Sequence, residues 1–386
     1  MHRLFRLTSF SVILLALLIA ADVGAIAARA QDDSADGLDW GLTGLSDPVV
    51  RLFTPASGAF FAQTAMTFLR SDDGGSTWRS VSLGPATTIL NVDPNDHTIL
   101  FAAGPDGVYK TSDDAATWQL IFPYGQDVGR NALALAVSPA DHNVLYLGVT
   151  MMPGISSDFR FFRSQDGGAT WRRLEEHHFS LCGWGMAILQ PHPTDAGRVF
   201  RAAECTAGRN FGESLNQSTN AGDAWTAAWT GNTSESAGYP RRLVGGQGAA
   251  PGRFYLAVNR DRRVGGSSLY RSDDDGATWN AILVYHGGGT QGYGEDPQAP
   301  GVELGGLAYD PSNPYRVYVG RQVYPSYSDP PDGGAVAASF DGGATWSDLG
   351  RQDIGAVSDL ALGVDGRNLY AATDHGLWQL RLDDPT

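Results

Sequence analysis

The chain has 386 residues, of which 42 are acidic and 27 are lysine or arginine, so its formal charge at neutral pH is -15. A body this acidic is repelled by phosphate backbones and by anionic lipid, which argues against a nucleic acid or a membrane surface as a partner. Enzymes and modules that bind proteins or glycans remain open.

The first thirty residues are typical of an export signal. Two arginines precede an apolar run over residues 10–21, and small residues lead to a predicted cleavage site after Ala30. The run is shorter than the roughly 20 residues that a membrane span needs, and Asp22 interrupts its end. We therefore predict a soluble, secreted or periplasmic protein over residues 31–386, with no later membrane span. Because the signal holds three arginines and one aspartate, the mature charge is -17.

An eight-residue motif recurs along the chain and determines the predicted architecture. Its form is Ser/Thr-x-Asp-x-Gly-x-Thr-Trp, and successive copies begin 40 to 67 residues apart. The copies occupy residues 71–78, 111–118, 164–171, 218–225, 272–279 and 339–346. Repeats with such a period indicate units that fold only when they are stacked on one another.

Each copy lies between two short runs with strand patterning, and two more such runs precede it, which predicts four antiparallel strands per unit. The units lie near residues 49–82, 88–121, 131–175, 185–229, 241–283 and 304–349. The remainder supplies three strands, and segment 38–45 is available as a fourth. We therefore predict an all-β fold, a seven-bladed β-propeller of four-stranded antiparallel blades. An N-terminal strand closes the ring, and residues 31–386 form one domain.

The residue types of the motif suit a tight turn. The glycine favours a backbone with positive φ, and the aspartate and the hydroxyl can accept main-chain N–H bonds across the turn. The tryptophan can bury its ring between neighbouring blades. We assign a structural role to Asp73, Asp113, Asp166, Asp274, Asp341, Trp78, Trp118, Trp171, Trp225, Trp279 and Trp346.

The alternating aspartates also resemble a calcium loop, but the sequence favours structure. The distant bidentate glutamate of such a loop is missing, one copy has Asn220 in place of aspartate, and another has Ala115 in place of glycine. Elsewhere the histidines lack metal-ligand spacing. The glycine-rich stretch 287–292 lacks the strand-to-helix context of a phosphate loop. We predict no metal site and no cofactor.

The two cysteines, Cys182 and Cys205, have their midpoint in the turn-rich stretch 191–197. A hairpin that closes there would set the two sulfurs opposite each other on adjacent antiparallel strands, within reach of a disulfide. Such a bond persists outside the cytosol. We predict the disulfide; a metal pair or a reactive thiol is the alternative, and no other ligand cluster accompanies it.

The repeated motif resembles the Asp-box, or BNR repeat, and nearly the whole mature chain resembles the Asp-box β-propeller superfamily. That superfamily includes sialidases, xyloglucan-cleaving glycoside hydrolases, the sortilin family ectodomain and the photosystem II assembly factor family. In these relatives the Asp-box joins the third and fourth strands of a blade and lies on the face opposite the functional one. The resemblance is specific for fold and unspecific for function.

The resemblance implies that the second-to-third strand loops and the blade-to-blade connections form the working face. This sequence inserts residues there, at 149–162, 204–215, 259–269 and 321–335, with connections at 175–184 and 284–303. Insertions on one rim of a repeat fold mark a binding face, and aromatic rings with arginine forks suit sugars, carboxylates or proteins. The ligand-binding candidates are Phe159, Arg160, Arg262, Tyr285, His286, Tyr324 and Tyr327. The alternative is that these side chains only pack the loops together.

Catalysis has weaker support in the sequence. A glycoside hydrolase needs two carboxylates about 5 to 10 Å apart, and the rim candidates are Asp158, Glu204, Asp261 and Glu295. Acidic residues are abundant, so their presence does not by itself indicate catalysis. The xyloglucan-cleaving relatives use two propellers that face a cleft, whereas this chain holds one. The stretch ahead of Ser71 also lacks the Arg-Ile-Pro string of sialidases.

The sequence therefore favours an exported, monomeric module that binds a protein segment or a glycan at the loop-rich rim. The alternatives are a glycoside hydrolase that uses a rim carboxylate pair and a structural spacer. Whether the chain is an enzyme stays open at this point.

Overall fold

A computed structural model of the chain describes residues 40–125, 131–150, 156–180, 184–205, 214–230, 238–259, 266–285, 301–325, 330–350 and 354–382. At 156–159, 175–180, 184–187 and 203–205 the description covers the backbone only. Within these ranges, no helix is long and apolar enough to cross a membrane. The predicted export signal lies outside them.

The described residues form seven four-stranded antiparallel sheets. In chain order the strands are β1 (Gly41–Leu42), β2 (Val49–Phe53), β3 (Phe60–Thr64), β4 (Phe68–Ser71), β5 (Arg79–Ser80), β6 (Thr88–Val92), β7 (Leu100–Ala103), β8 (Gly107–Thr111), β9 (Gln119–Pro123), β10 (Asn131–Val137), β11 (Leu145–Thr150), β12 (Ser156–Ser164), β13 (Arg172–Ser180), β14 (Trp184–Pro191), β15 (Val199–Cys205), β16 (Leu215–Ser218), β17 (Thr226–Trp229), β18 (Tyr239–Gly245), β19 (Phe254–Asn259), β20 (Ser267–Ser272), β21 (Asn280–Tyr285), β22 (Gly301–Tyr309), β23 (Val317–Tyr324), β24 (Gly333–Ser339), β25 (Ser347–Asp348), β26 (Val357–Leu362), β27 (Asn368–Thr373) and β28 (Gly376–Arg381).

The seven sheets are the blades of a β-propeller, as predicted. Blades 1 to 6 each take four consecutive strands, from β2–β5 to β22–β25, and blade 7 has the order β1-β28-β27-β26. The first strand of each blade is the innermost, and β22 packs against β26 just as β18 packs against β22. The chain therefore runs from the axis outward in every blade.

An N-terminal strand closes the ring, as the sequence predicted. In blade 7, Gly41 lies opposite Gln379 and Leu42 lies opposite Trp378. Trp40 is only 4% exposed, and its indole Nε1 donates a 2.7 Å hydrogen bond to the carbonyl of Leu349 in blade 6. The N-terminal segment thus completes the outer edge of blade 7 and also fastens it to blade 6.

The hydrophobic core lies in the seams between blades. Among the described residues the buried apolar side chains fall into seven clusters, and each cluster joins two neighbouring blades. The seam that closes the ring joins Phe60 and Leu52 of blade 1 to Tyr370 and Leu377 of blade 7. Because strand residues alternate between the two faces of a sheet, each blade contributes one face to each seam.

The Asp-box turns, which we call the Asp-box hairpins, join the third and fourth strands of blades 1 to 6. In blade 1, the Asp73 carboxylate accepts 2.8 Å and 2.6 Å hydrogen bonds from the main-chain N–H and the hydroxyl of Thr77. The Ser71 hydroxyl accepts a 2.8 Å bond from the N–H of Gly75, whose φ is +90°. These bonds lower the pKa of Asp73 to about 2, with the Thr77 hydroxyl as the largest cause. In blade 1 these hydrogen bonds hold the turn closed.

A cross-blade hydrogen bond recurs at these hairpins, and sequence reasoning missed it. The long polar residue just before an Asp-box donates to the main-chain carbonyl at the fourth position of the next box. Lys110 donates to Gly167 at 2.9 Å, and Gln217 donates to Asp275 at 2.9 Å. Arg163 and Arg271 do the same in their blades, and in blade 7 the Tyr370 hydroxyl donates to Gly74. The repeated turn is therefore also a fastening between blades.

Every innermost strand carries a β-bulge in its first half or at its middle. The register shifts at residues 50, 90, 133, 187, 241, 305 and 358, one in each of the seven strands. A bulge bends its strand and re-aims the side chain that follows it. The residues that follow the bulges are therefore brought to one level of the ring.

Two sequence expectations need correction. Much of the insertions expected as loops at 149–162 and 175–184 is strand, because β12 and β13 pair over nine residues each as an extended hairpin. The hairpin predicted between the cysteines exists, but the Cα partner of Cys205 is Trp184, because the strands pair about a turn centred near residue 195 and not at the midpoint of the two cysteines. Cys182 lies outside the described residues, so the disulfide stays a prediction.

Candidate functional site

The two poles of the propeller are formed by different turns and connections. In blades 2 to 6 the Asp-box hairpin bonds to the turn between the first and second strands of its own blade, as Gly167 does through its N–H to Asn143 at 3.0 Å and Gly342 does to Tyr315 at 2.8 Å. Both kinds of turn therefore share one pole. Because antiparallel strands alternate in direction, the second-to-third strand turns and the blade-to-blade connections lie at the other pole. We call it the open pole.

The extended hairpin of blade 3 projects from the open pole. Strands β12 and β13 have nine residues each, whereas β8 and β9 of blade 2 have five. Four further residues lengthen a strand by about 13 Å. Asp158 and Phe159 lie in this extension, opposite His178 and His177. Arg160 is half-buried in the same strand.

The other rim candidates are distributed as follows. Glu204 lies on β15 opposite Gly185, near the open pole. The side chains of Asp158, Phe159 and Glu204 are not described. Outside the described residues altogether lie Asp261, Arg262, His286, Glu295 and Tyr327. The predicted carboxylate pair therefore stays a prediction.

Tyr285 packs in the seam between blades 5 and 6. Burial raises the pKa of its hydroxyl. The guanidinium of Arg321 lies 5.6 Å from the centre of the Tyr285 ring and donates a 2.7 Å hydrogen bond to Asp348. Burial alone would lower the pKa of Arg321, but Tyr285 and Asp348 raise it. This seam therefore holds a fixed cation beside an aromatic ring.

Tyr324 is buried and is not an exposed side chain of the rim. It is 3% exposed, and its hydroxyl donates to the Gln322 amide oxygen at 2.8 Å and lies 3.3 Å from the Glu303 carboxylate. Glu303 is itself 6% exposed and lies at the open-pole end of innermost strand β22. Tyr324 thus holds a buried carboxylate near the working face. Only the charge of Glu303 within an apolar strand marks it in the sequence.

A charged group lies at the open-pole end of the propeller axis. Arg242 of blade 5 reaches past blade 6, donating to Gly305 at 3.2 Å and to Ser358 of blade 7 at 3.0 Å. It also lies 3.4 Å from the Asp359 carboxylate. Only a side chain on the axial side can span three blades in this way. A Cβ at residue 305 would meet the Val357 carbonyl at 1.9 Å, so glycine there permits this close approach of blades 6 and 7.

Asp359 and Arg51 complete this group, which we call the channel-mouth cluster. Asp359 accepts 3.0 Å hydrogen bonds from the main-chain N–H groups of Leu52 and Leu360. Arg51, Arg242 and Asp359 each follow directly after the bulge of an innermost strand. The described part of the chain contains no group of three or more His, Cys, Asp or Glu that could hold a metal ion.

In sequence, the chain is similar to xyloglucanases. No family model matches the chain. A xyloglucanase of Paenibacillus sp is 28% identical over 258 residues, which are 57% of this chain and 24% of that protein. One from Hypocrea jecorina is 26% identical over 307 residues, 65% of this chain and 34% of that protein. A probable oligoxyloglucan-reducing end-specific xyloglucanase of Neosartorya fischeri is 28% identical over 179 residues, 42% of this chain and 21% of that protein.

Solved structures show the same fold. The GH74 xyloglucanase from Xanthomonas campestris superposes with a TM-score of 0.62 at 19% identity, covering 89% of this chain and 54% of that chain. YCF48 bound to D1 peptide superposes with a TM-score of 0.57 at 15% identity, covering 91% of this chain and 96% of that one. The chain is a seven-bladed β-propeller.

This β-propeller spans between 21% and 34% of the length of the three xyloglucanases. Its open pole brings together the extended blade 3 hairpin, the Tyr324–Glu303 contact and the channel-mouth cluster. Sequence reasoning reached the first of these through the insertions. It missed the other two because both depend on which innermost-strand residue follows or precedes a bulge.

Proposed function

We propose that this Asp-box β-propeller is a glycoside hydrolase that acts on a xyloglucan-type β-glucan at its open pole. The observation that carries the proposal is the sequence similarity to three xyloglucanases over 42% to 65% of the chain. Since the chain spans at most 34% of their length, the activity of the whole relatives is not carried over by similarity alone. The chemistry of the open pole gives independent support.

The open pole offers the parts that a glycan site needs. The blade 3 hairpin forms a wall of about 13 Å with an arginine and an aromatic residue on it. Carboxylates lie at the same pole on different blades: Asp158 on blade 3, Glu204 on blade 4 and Glu303 on blade 6. Glycoside hydrolysis needs one carboxyl group as an acid and another as a base or nucleophile. We place the reaction among these groups and the rim candidates Asp261 and Glu295.

The second candidate function is binding of a protein segment without turnover. It is favoured by the match to YCF48 bound to D1 peptide, a protein that this chain covers almost completely. For either function we propose export, with the signal removed after Ala30 and residues 31–386 forming the propeller. A polysaccharide substrate of this class lies outside the cytosol, which fits that proposal.

The two functions separate in one assay. The mature protein would be incubated with xyloglucan, and new reducing ends would be measured with time. We expect release of oligosaccharides that falls at least a hundredfold in Glu204→Gln, Asp158→Asn or Glu303→Gln, whichever carries the acid or base, because such groups contribute about 10²–10⁴ in rate. Asp141→Asn is the matched control, because Asp141 is an exposed carboxylate on the turn between β10 and β11, at the pole opposite the proposed site.

Retention of the protein on immobilised xyloglucan without release of reducing ends would reject hydrolysis and retain glycan binding. Absence of both binding and turnover would reject the proposed function and leave the peptide-binding candidate. Circular dichroism of each variant would confirm that the sheets are intact, so that a loss of activity is not a loss of fold.

A further inference from the structure

The channel-mouth cluster has more positive than negative charge. A propeller surrounds a central channel, and the bulges of the innermost strands bring Arg51, Arg242 and Asp359 to its open-pole end. Two guanidinium groups therefore face one carboxylate. The Asp359 carboxylate is only 7% exposed and is already bonded to two main-chain N–H groups. It neutralises one arginine and leaves an excess of one positive charge.

Arg51 has no salt-bridge partner among the described residues. Its two terminal nitrogens donate long hydrogen bonds to the carbonyl of Leu90, both at 3.4 Å. Its guanidinium stacks 4.7 Å from the Phe53 ring, which holds it in place. Burial, followed by repulsion from Arg242, lowers the pKa of Arg51 to about 10, although attraction to the Asp359 carboxylate partly opposes this shift. A guanidinium has five N–H donors, so most of the hydrogen-bonding capacity of Arg51 is unused.

Arg242 also keeps a free donor. Its Nε and Nη2 are engaged by Gly305, Ser358 and Asp359, whereas its Nη1 has no partner among the described residues. About a third of the side chain is exposed, so solvent reaches it. The two arginines together have unused N–H donors and an excess of one positive charge. This arrangement of donors matches the two oxygens of a carboxylate.

We propose that the channel-mouth cluster is a binding site for a single carboxylate group, carried by a small ligand such as a uronic acid. The carboxylate would bridge Arg51 and Arg242, neutralise the excess charge and fill the unused donors. Asp359 orients Arg242 and, together with the strongly acidic protein body, disfavours ligands of higher negative charge. Xyloglucan-type glucans are neutral, so this site goes beyond the proposed hydrolysis and does not depend on it.

The site is tested by measuring the melting temperature and the heat of binding of the full mature chain with three probes at matched ionic strength. The probes are sodium D-glucuronate, sodium N-acetylglycine and D-glucose, with sodium chloride as the reference. We expect saturable binding of at least one carboxylate probe and none of glucose. Glucuronate bound in preference to N-acetylglycine identifies a sugar acid as the source of the carboxylate. The reverse preference identifies a peptide terminus.

Two variants connect that binding to the cluster. Arg51→Gln is expected to weaken carboxylate binding at least tenfold without loss of fold, because it removes the arginine that makes no salt bridge with any described residue. Arg51→Lys keeps the charge but not the fork, and is expected to weaken binding by a similar factor. The control is Arg367→Gln, which removes the same charge at an exposed turn on the opposite pole. If the carboxylates raise the melting temperature no more than chloride does, or if Arg51→Gln binds them as the unaltered protein does, the proposal is wrong.

Discussion

Replacing Trp40 by alanine tests whether the N-terminal segment closes the ring. Trp40 is 4% exposed in the seam between blades 6 and 7, among Leu349, Ile354 and Val357. A buried tryptophan removes about 150–250 Å² from water, which at about 25 cal/mol per Å² gives about 4–6 kcal/mol. Measured losses for large aromatic residues in cores are about 3–5 kcal/mol. We therefore expect Trp40→Ala to lower the free energy of unfolding by about 4 kcal/mol.

The measurement is denaturant unfolding followed by tryptophan fluorescence and circular dichroism. Leu42→Ala is the control, because Leu42 lies on the same strand but is 47% exposed, and we expect a loss of about 0.5 kcal/mol or less. The strand pairing in β1 is main-chain and survives both changes. If the two variants lose the same free energy of unfolding, closure does not depend on the seam, and the reasoning above is wrong.

Three further predictions concern the Asp-box hairpins. Ala115 has a φ of +67°, so Ala115→Gly is expected to raise the free energy of unfolding by about 0.5–1 kcal/mol. The same change at exposed Ala116 is expected to lower it. Both effects are measured from the midpoints of urea unfolding. Because the pKa of Asp73 is depressed, its contribution to the free energy of unfolding is present above pH 4 and is lost as pH falls towards about 2. Asp73→Asn should therefore make unfolding less sensitive to acid. An unchanged midpoint of acid unfolding contradicts this. Tyr370→Phe removes the hydroxyl donor from blade 7 to the Asp-box of blade 1 and should cost about 1 kcal/mol in thermal unfolding, with an unchanged melting temperature as the contrary result.

The propeller was predictable because its signals are local. The unit predicted near 88–121 is the blade formed by β6 to β9, which ends at Pro123. Each Asp-box turn is made by hydrogen bonds within eight residues, so its sequence determines its geometry. The closing strand followed from counting, since three strands remained at the C-terminus and one segment was left at the N-terminus.

The working face was only partly predictable because its contacts are distant in sequence. The bond from Leu52 to Asp359 joins residues 307 positions apart, and no local pattern marks either one. A one-residue bulge decides which side chain reaches the axis, and bulges leave no clear trace in composition. Tyr324 was selected for its residue type, yet its burial depends on the register of β22 against β23.

The position of Lys110 makes it a site at which chemical labelling could follow the opening of the ring. It is the sole lysine of the chain, and its ammonium group is half-buried where blades 2 and 3 meet. Burial lowers its pKa, while the Gly167 carbonyl and the Phe101 ring keep the group occupied. The Gly167 hydrogen bond and the half-burial slow the acylation of Lys110 relative to that of the polypeptide terminus, and separation of those two sheets would speed it. The rate at which Lys110 is acylated would therefore report how often the ring opens between blades 2 and 3.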